Sequence, residues 1–99
     1  MATLYVTEFR NFAGVETRFT NVAPMPPLVE QTVAIGGSST QSNAFSASTN
    51  IVRLHTDSIC SVEFGSNPTA TVTTARLAAN TTEYFAVLPG QKVAVITNT

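Results

Sequence analysis

The feature that most constrains this chain is the rhythm of its apolar runs. No stretch holds a convincing 3.6-residue apolar period; the runs are short, rich in β-branched residues and broken by turn residues. "TLYVTEF" (3–9) reads as a first strand and "LVEQTVAI" (28–35) as a second, stopped by Gly36-Gly37. A polar loop follows over 36–43. "NIVRLHT" (50–56) and "ICSVEFG" (59–65) read as strands separated by a hairpin-length gap at Asp57-Ser58, with Cys60, Val62 and Phe64 sharing one face. "TATVTTARL" (69–77) is a weaker strand, and two more follow at 82–88 and 92–97. Roughly seven short strands with no helical insertion predict an all-β fold, an antiparallel β-sandwich or jelly-roll-like barrel. Its core spans 28–97 together with strand 3–9, and 1–99 form one domain.

Two places break this rhythm. Residues 9–27 are irregular and end in Pro24, Pro26 and Pro27, which fix φ and cannot donate to a ladder. The segment is expected to be an arm or long loop that contacts other molecules, with Phe9, Phe12, Phe19 and Met25 as its anchors. At Pro89-Gly90, Pro presets φ and Gly accepts φ > 0, the requirements of a type II turn. Tight hairpins prefer primed turns, so this pair predicts a corner between sheets. Tyr84, Ala86 and Leu88 alternate with Phe85 and Val87, the pattern of a strand covered on both sides.

Charge narrows the function classes. Charged residues make up 11% of the 99 positions, where soluble domains average about 25%, and the formal net charge is −1. Arg10, Arg18, Arg53, Arg76 and Lys92 lie far apart, so no nucleic-acid partner is expected. A surface nearly free of charge favours association, because interface cores are themselves depleted in charge. The single cysteine, Cys60, excludes an internal disulfide. "MATLYVTEF" has neither the basic start nor the apolar core of a signal peptide, and "FAVL" and "VAVI" are too short to span a bilayer. The expectation is a protein used in a cytoplasm or released without secretion, with no membrane partner. Asn80-Thr81-Thr82 matches a glycosylation sequon and is read as chance.

Reactive constellations are missing. His55 is the only histidine, and Asp57 two residues on falls at a turn, so His55 is expected to be structural. Cys60 alternates with Val62 and Phe64 and reads as core. Glu8, Glu16, Glu30, Glu63 and Glu83 are dispersed, with no pair placed for glycoside chemistry. Ser38 and Ser39 lie beside glycines without a nucleophile elbow or phosphate loop. "PGQKVAVI" has the sound of a cupin's closing strands, yet a cupin site takes three histidines and a glutamate. No enzyme activity, metal, cofactor or small-molecule substrate is expected.

Beyond these readings, the chain resembles a family of short proteins encoded among the virion genes of tailed bacteriophages. The resemblance is carried by "MATLYVTEF" (1–9), "PPLVEQTVAI" (26–35) and, across 50–96, "NIVRLHTDSICSVEFGSNPTAT" and "RLAANTTEYFAVLPGQKVAVI". It is a match of strand-and-turn pattern and brings no catalytic residues with it. It implies a structural virion protein, by fold-level analogy a capsid decoration or cement protein that binds between major capsid subunits. The implied state is a small homo-oligomer, a trimer, on the capsid surface after folding in the host cytoplasm. The alternatives are a head–tail joining or tail-associated protein, and a carbohydrate-binding β-sandwich. Against the last, the chain has no Trp, and Tyr5 and Tyr84 lie inside strands where loops usually carry the stacking platforms.

Overall fold

The computed structural model describes residues 2–10, 14–15, 18–19 and 26–98. The described chain is all-β, with strands β1 (Thr3–Phe9), β2 (Gly14–Val15), β3 (Arg18–Phe19), β4 (Val29–Ala34), β5 (Thr40–Gln41), β6 (Ile51–Thr56), β7 (Cys60–Gly65), β8 (Ala75–Leu77), β9 (Thr81–Ala86) and β10 (Lys92–Thr97). Two four-stranded antiparallel sheets, ordered β4-β1-β6-β9 and β5-β10-β7-β8, pack as a β-sandwich. The chain changes sheet at every connection from β4 to β7 and again from β8 to β10.

The period-2 pattern explains the packing. Leu4 and Val6 of β1, Val52 and Leu54 of β6, Cys60 and Val62 of β7, and Val93 and Val95 of β10 all point between the sheets and are fully buried or nearly so. Each such aliphatic side chain contributes roughly 1.5–3 kcal/mol on burial. Phe64 and Phe85 close one side of the core, with ring centroids 5.2 Å apart.

Several sequence expectations need correction. β6 and β7 are not a hairpin: they belong to different sheets, and 57–59 turn the corner between them. Asp57 stabilises that corner by accepting the Thr3 N–H on Oδ1 at 2.7 Å. The strand read at 69–77 shrinks to Ala75–Leu77, and the polar loop over 36–43 contains the short β5. β9 is not covered on both faces: Phe85 packs inward while Tyr84 is 46% exposed. The Pro89-Gly90 corner between sheets is as predicted. Gly90 sits at φ 81°, the Gln91 N–H donates to the Leu88 carbonyl at 3.3 Å, and β9 and β10 lie in opposite sheets.

Segment 9–27, read as irregular, contains a two-stranded antiparallel ladder, with Gly14 opposite Phe19 and Val15 opposite Arg18. Of the four expected anchors, Phe9 is the last residue of β1 and is buried, which removes it from any exposed arm. Its partner across the ladder, Ile51, holds it within the sheet. Phe19 lies in β3, and Phe12 and Met25 fall outside the described residues.

Candidate functional site

The two outer faces of the sandwich differ. Residues 66–74, between β7 and β8, fold over the outside of the second sheet. The Ala70 N–H donates to Ser39 Oγ at 2.9 Å, and Gln41 Nε2 donates to the Asn67 side chain and the Pro68 carbonyl, both at 2.8 Å. Asn98 Nδ2 donates to the Val72 carbonyl at 3.1 Å. These anchors flank β5 and β10, on the side of β7 away from β8, so the segment crosses the face as a strap. Ala94 and Ser61, which alternate outward from the core residues beside them, are consequently buried.

No such strap crosses the described part of the first sheet. Its outward residues align in rows set by the register. Thr32, Tyr5, His55 and Thr82 form one row; Glu30, Thr7, Arg53 and Tyr84 form the next. Tyr5 is 43% exposed. Together these side chains shape an open depression of about 650 Å³, lined by Tyr5, Thr7, Glu30, Thr32, Arg53 and His55 along with backbone of the strands beneath. His55 is oriented by Thr82, with Nδ1 2.9 Å from the threonine Oγ1, and its ring lies 6.1 Å from that of Tyr5 at a 45° tilt. One guanidinium and one carboxylate, on either side of Thr7, leave the face near neutrality.

The reactive candidates are dispersed. Asp57 accepts from Thr3 at its corner, and the His55 ring is instead hydrogen-bonded to Thr82. Cys60 lies in the core with Sγ 3.6 Å from Thr56 Oγ1. Burial pushes its thiol up from an ordinary value near 9.0, against the lowering effect of the Thr56 hydrogen bond. Such a thiol is protonated and inert at neutral pH. Among the described residues, no group of three or more His, Cys, Asp and Glu side chains comes together to hold a metal. No helix among them is long and apolar enough to cross a membrane.

Sequence reasoning missed Glu8. It follows Leu4 and Val6 on the inward face of β1 and is completely buried. Its Oε1 accepts from the Ser46 N–H at 2.9 Å and the Thr49 hydroxyl at 2.7 Å, and Oε2 from Gln31 Nε2 at 3.0 Å. A buried carboxylate is tolerated only with such compensation. Glu8 therefore clamps the 42–50 connection and β4 onto β1; it is a structural group. The parity of "LYVTE" held the signal, because Glu8 falls in step with Leu4 and Val6.

A second surface feature lies at the end of the first sheet where β1 finishes. The Leu28 N–H donates to the Glu8 carbonyl, Asn50 to that of Phe9, and Val87 to that of Asn50. Leu28 and Leu88 are thereby brought to the same end of the sheet, 42% and 63% exposed. Three strand spacings, about 14 Å, separate the two edges that carry them.

Comparison with family models, with curated proteins and with solved structures finds no match for this chain. The functional reading therefore rests on the geometry and on the resemblance of sequence pattern given above.

Proposed function

We propose that this protein is a structural component of a tailed-phage virion, a decoration protein that attaches to the capsid through the Leu28–Leu88 end of its first sheet. The observation that carries the reading is that pair of exposed leucines at one end of a charge-poor sandwich. Leu28 and Leu88 would serve as two separate apolar anchors, and low charge suits a contact that salt does not screen. The strand-and-turn resemblance to short virion proteins supports the same assignment. So does the connectivity: eight strands in two sheets with repeated crossings between them fit jelly-roll wiring, an architecture of capsid domains. In this reading the partner is the major capsid protein, the copies associate as trimers at local threefold positions, and weak individual contacts gain from avidity.

Co-sedimentation with capsids that lack the protein tests the assignment. Wild-type protein is expected to pellet with the capsids at many copies, at low and high salt alike. The double variant Leu28→Asp/Leu88→Asp is expected to stay in the supernatant with an unchanged melting temperature. Failure of the wild-type chain to bind capsids, or attachment that survives the double substitution, overturns the proposal.

A further inference from the structure

The outer face of the first sheet offers a different chemistry from the Leu28–Leu88 end. Its depression, about 650 Å³, falls within the size range of ligand pockets. The exposed Tyr5 ring supplies an apolar plate with a polar tip. Around it stand the Arg53 guanidinium, a planar donor; the Glu30 carboxylate, a planar acceptor; and the hydroxyls of Thr7 and Thr32, which do both. His55 is fixed against Thr82 at 2.9 Å, so part of the wall is already ordered.

This combination matches one ligand class. A pyranose has a face of C–H groups and an equator of hydroxyls, each both donor and acceptor. The face would lie on Tyr5 and the hydroxyls would meet the charged and hydroxyl groups around it. One cation beside one anion balances the charge, which disfavours phosphorylated or sulfated ligands that need clustered Arg and Lys. The centre of the patch is Thr7 between Glu30 and Arg53, whereas the core of a protein contact is depleted in charge. The placement of Tyr5 also removes the objection drawn from sequence. A strand presents alternate residues outward, and Tyr5 is one of these and is exposed.

We propose that the outer face of β4-β1-β6 is a binding site for a neutral saccharide, with Tyr5 as the stacking platform and Arg53 and Glu30 as the hydroxyl-binding pair. The proposal is independent of the virion assignment, because it uses a different surface.

The test is an immobilised array of neutral and acidic glycans probed with the full chain, followed by amide chemical-shift mapping with the best-bound neutral oligosaccharide. Binding to neutral glycans is expected, with shifts concentrated at residues 5–7, 30–32 and 53–55. Tyr5→Ala and Arg53→Ala should each weaken binding at least about tenfold. Both positions face outward, and circular dichroism and melting temperature check that each variant is folded. Glu30→Gln, which keeps size and hydrogen-bonding capacity, should weaken it less than Glu30→Ala. The Leu28→Asp/Leu88→Asp variant should bind glycans like the wild type, which separates this site from the capsid contact. The proposal is overturned by an array with no bound glycan, by binding restricted to acidic glycans and abolished by salt, or by shifts mapping elsewhere. It is equally overturned if Tyr5→Ala releases the protein from capsids and no glycan binds, since the face would then be a protein contact.

Discussion

Glu8 and Thr49 meet inside the sandwich: the threonine hydroxyl donates to Glu8 Oε1 at 2.7 Å, and both side chains are completely buried. The residues are forty-one positions apart, and the contact fixes the 42–50 connection against the strand that begins the fold. Glu8 accepts three hydrogen bonds at this point, so its loss leaves buried donors with fewer partners, which costs more than the bonds themselves contribute.

Glu8→Ala is therefore expected to destabilise the chain by about 2–4 kcal/mol, through loss of an acceptor for Ser46, Thr49 and Gln31. Glu8→Gln should also destabilise, because the amide turns one acceptor into a donor facing donors. Thr49→Val should cost less than Glu8→Ala, since the carboxylate keeps two donors. Urea unfolding of the three variants gives the ranking; equal stability of Glu8→Gln and wild type would contradict the clamp.

The strap makes a second prediction. Gln41→Ala removes two of its anchors, on Asn67 and Pro68, and should cost about 1 kcal/mol. Hydrogen exchange should speed up at 66–74 and leave the first sheet unchanged. Uniform acceleration across both sheets would show that the strap is not a separate unit.

Gly90 gives a third. A Cβ there would meet nothing within 4 Å, so Gly90→Ala tests the backbone alone at φ 81°. An alanine in this left-handed region is expected to cost about 1–2 kcal/mol. An unchanged melting temperature would mean that the corner relaxes to negative φ.

Cys60 gives the fourth. Its thiol should react slowly with a maleimide in native protein and quickly in denaturant. Because burial raises its folded value above the ordinary one near 9.0, the unfolded chain loses the thiol proton first as pH rises. The stability it contributes is intact below that value and falls as pH climbs from there through the folded value. Cys60→Ala should flatten this alkaline decline and cost on the order of 1 kcal/mol at neutral pH. Rapid native labelling would take Cys60 out of the core.

The strands were legible because alternation is a local property. Leu4 and Val6, or Cys60 and Val62, declare their shared face within a few residues. The corner at Pro89-Gly90 was legible for the same reason, since Pro and Gly set φ directly. Which sheet a strand joins was not. Asp57-Ser58 has the length of a hairpin, yet it joins two different sheets and is held by Thr3, from a strand fifty-four positions away. The strap and the Glu8 clamp depend on similarly distant partners. The exposure of Tyr5 was not legible for a related reason. Tyr5 lies in a strand as read, but its exposure depends on a strap that, among the described residues, crosses the second sheet and not the first.

The most direct test of the proposed function is a cryo-electron microscopy reconstruction of the intact phage particle. Density for the sandwich is expected at repeated positions over the head, with the Leu28–Leu88 end against the shell and the β4-β1-β6 face turned to solvent. Density confined to the neck or tail, or a head without this protein, would contradict it.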